Sequence, residues 1–340
     1  MKLLSFIEFI KVFPTELSVI EHFISVRYKG KPVCPHCNSI KIYQYHKRPK
    51  VFQCNDCHNT FSVFKGTIFE KTKTNLIEWY FVAHQLVNGK KGISAYQVQR
   101  MMGGSYKRSW RMLNKLRKAF RNQDVFTEDN GVYEADEVYC NAGLRPENIT
   151  DKERYSKAVK APNDSKTKAI MKEISKISSS KYIKRNTKKG TQGRGTEKHA
   201  LLGIMNRYTK QVYAKVIPHN EKGQRFTKKR VNSIFKEVIK GQNATVISDE
   251  ISCYDDLPKI GIRHIVITHK IAYSKEGVNT NSMESFWATI QRMIIGVYHH
   301  VSPELLQSYV DECVFRRNQK EGRIFFKENT FEKFMAQTIL

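Results

Sequence analysis

Acidic residues are scarce in this sequence. It holds 32 Asp and Glu against 59 Lys and Arg, a formal net charge of +27 at pH 7 over 340 residues. An imbalance of that size says little about fold and much about partners. Long apolar runs are missing too. No stretch of 18 uncharged apolar residues occurs, so no segment reads as a bilayer-spanning helix. A cleavable leader is also lacking. Glu8 and Lys11 interrupt the apolar start MKLLSFIEFIKVF, and no small-residue cleavage site follows, so it reads as an amphipathic helix. The sequence shows no internal repeat. These absences lead us to expect a soluble, intracellular chain, cytoplasmic and nucleoid-associated, with no membrane partner.

What is present excludes a disordered polycation: 40% of residues are hydrophobic, with 16 Tyr, 19 Phe and 3 Trp. A folded chain this basic most often meets nucleic acid. Its length suits two or three domains. Seven cysteines, four of them in two CxxC pairs, suggest a reducing compartment and a metal site rather than a disulfide framework.

Composition changes divide the chain. Residues 1–30 read as helical, 31–69 as a short β-rich ribbon, and 70–125 as helices punctuated by glycine. Residues 130–320 read as a mixed α/β domain, with a Lys- and Ser-rich insertion at about 144–198, and 321–340 as a C-terminal tail. In the α/β part, β-rich runs at 132–140, 199–207, 211–218, 244–249 and 263–268 alternate with helical patterns at 226–239, 282–297 and 303–317. Three strands before the first helix suit a mixed sheet better than a uniformly parallel one.

Cys34 and Cys37 are separated from Cys54 and Cys57 by sixteen residues. Four thiolates on two tight turns suit tetrahedral Zn²⁺, and a closed thiolate shell makes the metal structural. Ser94-Ala95-Tyr96-Gln97 then opens a helix with a capping-box pattern, with Val98, Met101 and Met102 as its apolar stripe. Gly103-Gly104 ends it, and Ser105 can cap a second helix on which Trp110, Leu113, Leu116 and Phe120 face inward. Lys107, Arg108, Arg111, Lys115 and Lys118 form its basic set, a groove-facing surface of helix-turn-helix type. The plainer alternative is a solvated basic helix pair.

Acids mark a third site. Val132–Tyr139 reads as a strand with Glu134, Asp136 and Glu137 inside it, and unpaired carboxylates in a half-buried strand are costly. Asp249 ends the apolar run 244–248, and Glu284 begins a helix whose core stripe is Phe286, Ile290, Met293, Ile294 and Val297. Asn281, Glu284 and Gln291 share its other side. Two strand aspartates and a helix glutamate could hold two Mg²⁺ for in-line phosphoryl transfer. Each acid also has a structural alternative: Asn281 with Glu284 as a capping box, Asp249 as a turn cap, Asp136 as a salt-bridged strand residue.

The motifs together resemble bacterial insertion-sequence transposases with a zinc ribbon and a DDE domain, the group related to the Merlin transposons. The likeness runs through the ribbon, Phe61-Ser62-Val63, Gly92-Ile93-Ser94-Ala95, Glu134-Ala135-Asp136-Glu137-Val138-Tyr139, Arg194-Gly195-Thr196-Glu197-Lys198 and Ser248-Asp249-Glu250. It is most specific over residues 279–287 and 296–303. The resemblance implies an RNase H-like fold, end cleavage with joining of the 3′ hydroxyl to target DNA, Mg²⁺ or Mn²⁺ as catalytic cofactor, and a homo-oligomer on transposon-end and target DNA. It assigns Asp136 and Asp249 as metal ligands, with Glu284 third and Asn281 the neighbour that could replace it. Relatives often carry His where this chain has Asn279, and Lys where it has Gln291; Arg292 could substitute as a phosphate contact. A degenerate copy acting only as a DNA-binding regulator is the rival reading.

Overall fold

The computed structural model describes residues 5–120, 126–140, 199–218, 226–267, 281–321, 325–326 and 330–338. The basic insertion expected at 144–198 lies wholly outside them, residues 194–198 included, as does Asn279.

Ser5 and Thr15 each make a reciprocal capping box at the start of α1 (Phe6–Val12) and α2 (Glu16–Tyr28). Strands β1 (Ile42–Gln44), β2 (Val51–Cys54) and β3 (Thr60–Ser62) form an antiparallel sheet. Then come α3 (Leu76–Asn88), α4 (Ala95–Met102) and α5 (Tyr106–Arg117). Ser94 and Ser105 cap α4 and α5, and Gly103 and Gly104 hold φ of +72° and +76° in the turn between them, a backbone open to glycine at little cost. Trp110 departs from its expected inward position. The buried stripe of α5 is Ser109, Met112, Leu113 and Leu116; Trp110 sits about a quarter turn off it and is 39% exposed. Met101 is likewise exposed, since only Val98 of α4 is buried.

The second unit is a five-stranded sheet of β4 (Val132–Cys140), β5 (His199–Asn206), β6 (Val212–Ile217), β7 (Thr245–Asp249) and β8 (Arg263–Ile267). Its order is β6-β5-β4-β7-β8. The first three strands run antiparallel, while β4, β7 and β8 are parallel. This mixed sheet is consistent with an RNase H-like domain. Helix α6 (Lys228–Val238) packs on one face with Tyr133, Ala135, Leu202 and Ile204. Helices α7 (Asn281–Met293) and α8 (Leu306–Asn318) cover the other face, against Leu201, Met205, Val212 and Ala214. Alternation along β4 therefore sends Tyr133 and Ala135 to one side and Glu134 and Asp136 to the other.

Residues 321–340, read as a tail, include helix α9 (Thr330–Gln337), which returns to the N-terminal core. Phe331, Phe334 and Met335 make an apolar stripe at helical spacing and pack with Phe13, Tyr80 and Phe120. The two units meet over buried charge. Arg117 Nε donates to Glu312 Oε2 at 2.9 Å, Arg316 Nη2 to Glu312 Oε1 at 2.7 Å, and Tyr298 OH to Glu312 Oε1 at 2.9 Å. The Arg117 guanidinium also lies over the rings of Tyr298 and Tyr309. Gly92, at φ +88°, is obligatory there, because a Cβ would strike the Tyr298 hydroxyl.

Candidate metal centres and nucleic-acid surface

The two cysteine pairs occupy knuckles at either side of the ribbon. Asn38 and His58, one residue past each pair, hold φ of +58° and +55°, folding the chain back so that the four sulfurs converge. Cys34 Sγ lies 3.6 Å from Cys57 Sγ, and Cys37 Sγ lies 3.5 Å from Cys54 Sγ; the four ligand atoms fall within 4.8 Å of one another. The His36 N–H donates to Cys34 Sγ at 3.4 Å, which favours a thiolate. Four soft donors and no open position fit a structural Zn²⁺.

The acids converge at the end of the sheet. Val132 pairs with Thr245 and Glu134 with Ile247, and that register continued sets Asp249 beside Asp136. Carboxylate oxygens of Asp136, Glu137 and Asp249 lie within 4.8 Å of one another. Glu137 was not among the expected ligands; it points to the α6 face, where Tyr254 OH donates to its Oε2 at 3.3 Å. Glu284 lies outside that trio, exposed on the first turn of α7, yet near enough for its charge to act on Asp136. Asn281 is the first residue of that helix and is exposed.

Helix α7 is held by residues that sequence reasoning left without a role. Glu134, fully buried, accepts from the N–H groups of Ser282 and Met283 at 3.1 and 3.3 Å. The strand carboxylate thus supplies an anionic cap, the role that the structural alternative gave to Asn281 with Glu284. One turn on, Trp287 Nε1 donates to Asp136 Oδ2 at 3.0 Å. Gly203, opposite Asp136 on β5, leaves the room: a Cβ there would lie 2.2 Å from Met283 and 2.6 Å from Trp287. The signal in sequence was period-two alternation in Glu134-Ala135-Asp136, which puts anchor and site on one face.

Burial lifts Asp136 to about 7, opposed by the Glu137 N–H and Trp287, and reinforced by the charges of Asp249 and Glu284. Such crowding is the electrostatic counterpart of a cation site, and hard carboxylate oxygens suit Mg²⁺ or Mn²⁺.

Comparison with known proteins agrees with this architecture. The ISXO2-like transposase domain family matches residues 177–318, and the transposase zinc-ribbon domain family matches residues 14–60. The chain belongs to the insertion-sequence DDE transposases. The match contains Asp249 and Glu284 and begins beyond Asp136. An uncharacterized protein in transposable element ISH50 of Halobacterium salinarum is 24% identical to this transposase, over 92% of this chain and 95% of its own length. A simian T-cell lymphotropic virus intasome in complex with PP2A regulatory subunit B56 gamma shares 10% identity over 70% of each chain, with a TM-score of 0.31, a likeness too weak to carry any conclusion.

On the transposase's N-terminal unit, Lys107, Arg111, Lys115 and Lys118 are exposed along α5. Arg108 is partly withdrawn by an ion pair with Glu78, and the Lys115 ammonium reaches the Ile68 carbonyl at 3.5 Å. Arg292 is exposed on α7, with Nη2 3.5 Å from Thr289 Oγ1. No helix among the described residues is long and apolar enough to cross a membrane.

Proposed function

We propose that this transposase binds the inverted-repeat ends of its insertion sequence, cleaves them, and joins the 3′ ends to target DNA by metal-dependent phosphoryl transfer, as a polynucleotidyl transferase of the RNase H-like superfamily. The observation that carries this reading is the meeting of Asp136 and Asp249 across paired strands, with Glu284 on the helix laid over them. Asp136 and Asp249 are the ligands of Mg²⁺ or Mn²⁺, and Glu284 is the third, with Asn281 as its alternative. Bound divalent ions would activate the attacking oxygen and stabilise charge on the leaving 3′ oxygen. The chain's own part is positional: Glu134 fixes the start of α7, and Trp287 restrains the Asp136 carboxylate that faces the ions.

The ribbon and α4–α5, used as a helix-turn-helix, would hold the ends, with Lys107, Arg108, Arg111 and Lys115 on phosphate and base edges. The insertion near 144–198 would neutralise flanking or target DNA. Joining two ends requires two copies, hence a homo-oligomer acting at the nucleoid. The test is strand transfer in vitro, using a pre-cut oligonucleotide of the element's own end, Mg²⁺ and a supercoiled plasmid. Joined product from the native chain that vanishes in Asp136→Ala, with end binding retained, supports the reading. Binding without joining, in Mn²⁺ as well as Mg²⁺, would instead mark a regulator or an inactive copy and direct attention to Asn279 and Gln291.

A further inference from the structure

A small cleft lies where the α3–α4 loop meets α7 and α8. Lys90 and Lys91 come from the loop, Ser285 and Thr289 from α7, and Arg316 and Arg317 from α8; the rest of the lining is apolar, with no carboxylate among the described residues. Arg316 is committed to structure. It pairs with Glu312 and donates to the carbonyls of Leu86, Val87 and Gly89, which fastens the end of α3 to α8. That anchorage fixes the place of the two lysines that follow. Lys90 and Lys91 are exposed, and Arg317 Nε is buried without a hydrogen bond among the described residues. Ser285 and Thr289, four residues apart, share a face beside Glu284. The Thr289 hydroxyl donates to the Ser285 carbonyl at 3.1 Å, so the donors left for a ligand are the Ser285 hydroxyl and the three cations.

We infer that this cleft is a phosphodiester-binding site that grips the DNA backbone next to the acidic centre, using Lys90, Lys91, Arg317 and Ser285. A tetrahedral anion suits an uncompensated set of ammonium, guanidinium and hydroxyl donors. Because the loop belongs to the N-terminal unit and Ser285 follows Glu284, one phosphate held here ties the end-binding unit to the helix bearing Glu284. The inference rests on the transposase reading above and is testable apart from it.

The test uses a duplex of the element's own end and binding alone as the first readout. In the native chain, log K against log salt has a slope set by the phosphates neutralised; Lys90→Ala with Lys91→Ala, by releasing that one phosphate, should flatten it by about 1 and weaken binding roughly tenfold at moderate salt. Lys107→Ala with Arg111→Ala serves as a control that weakens the same duplex through α5. A scan with single neutral methylphosphonates should find a position near the cleavage site that costs the native chain and the α5 variant affinity but leaves the Lys90/Lys91 variant indifferent. Lys90→Arg with Lys91→Arg should restore both effects. An unchanged slope, or a methylphosphonate penalty that persists in the Lys90/Lys91 variant, would overturn the site. Native chain that binds the duplex but joins nothing would overturn the transposase activity while leaving the binding result readable.

Discussion

Two acids of this chain, one buried and one half-buried, meet opposite fates. Glu312, at the seam between the units, has burial against it, yet Arg316 and Arg117 hold its carboxyl below the ordinary value. Asp136, on the central strand of the sheet, has no cation on it among the described residues; its hydrogen-bond partners there are a backbone N–H and an indole, and burial with neighbouring acids lifts it to about 7. The first acid is complete within the protein and serves the fold. The second is left electrostatically short, which a folded chain tolerates where a ligand completes the site.

The contrast breaks most completely at the acidic end. Asp136→Ala should reduce strand transfer by about a thousandfold or more, as removal of a metal-holding carboxylate does to in-line transfer, with gel-shift affinity for the end duplex within a few-fold of native. At the other end, Glu312→Gln leaves Arg117 and Arg316 buried with their pairing lost, at a cost of about 3–5 kcal/mol; urea unfolding should show a matching loss of stability, with no gain from added Mg²⁺. Cys54→Ser sharpens the comparison on the thiolate site. Zinc content measured by atomic absorption should fall, and end binding with it, since structural zinc supplies folding energy of the ribbon.

A pH series separates the two acids by sign. Asp136 has a folded value near 7, above its unfolded value near 3.8, so the folded state holds a proton the unfolded chain has lost. Its contribution is full below about pH 4, falls as pH rises toward 7, and is flat above. Asp136→Asn should therefore match the native chain in Tm at pH 4 and exceed it at pH 8 without divalent ions. For Glu312, lowered on folding, the contribution is present above the unfolded value and is lost toward acid, so the two curves slope oppositely. The smallest effect expected is that of Gly203→Ala, which pushes Met283 and Trp287 off β5 and costs about 1–3 kcal/mol by overpacking. Urea unfolding measures that loss, and strand transfer should fall with it as Trp287 leaves Asp136.

Much of this was legible in the sequence. The strands expected at 132–140 and 263–268 are β4 and β8 within a residue, and the helix expected at 226–239 is α6 with frayed ends, because β-rich runs and 3.6-residue periodicity are local signals. The cysteine spacing carried the ribbon for the same reason. Long-range relations stayed hidden. Nothing local says that Glu134 would cap a helix 148 residues on, that Glu312 would gather Arg117 across 195 residues, or that Phe331 and Phe334 would return to the N-terminal core. Trp110 was misplaced because one amphipathic stripe leaves its edge residues undecided, and tertiary packing settled it outward.

The most direct measurement of the central claim is Mn²⁺ binding to the full chain at pH 8, followed by electron paramagnetic resonance. Our account predicts bound Mn²⁺ in the native chain that is lost in both Asp136→Asn and Asp249→Asn, while zinc content stays unchanged. Equal Mn²⁺ binding by the native chain and the two variants would contradict it, and would return Asp136 to the class of structural strand acids.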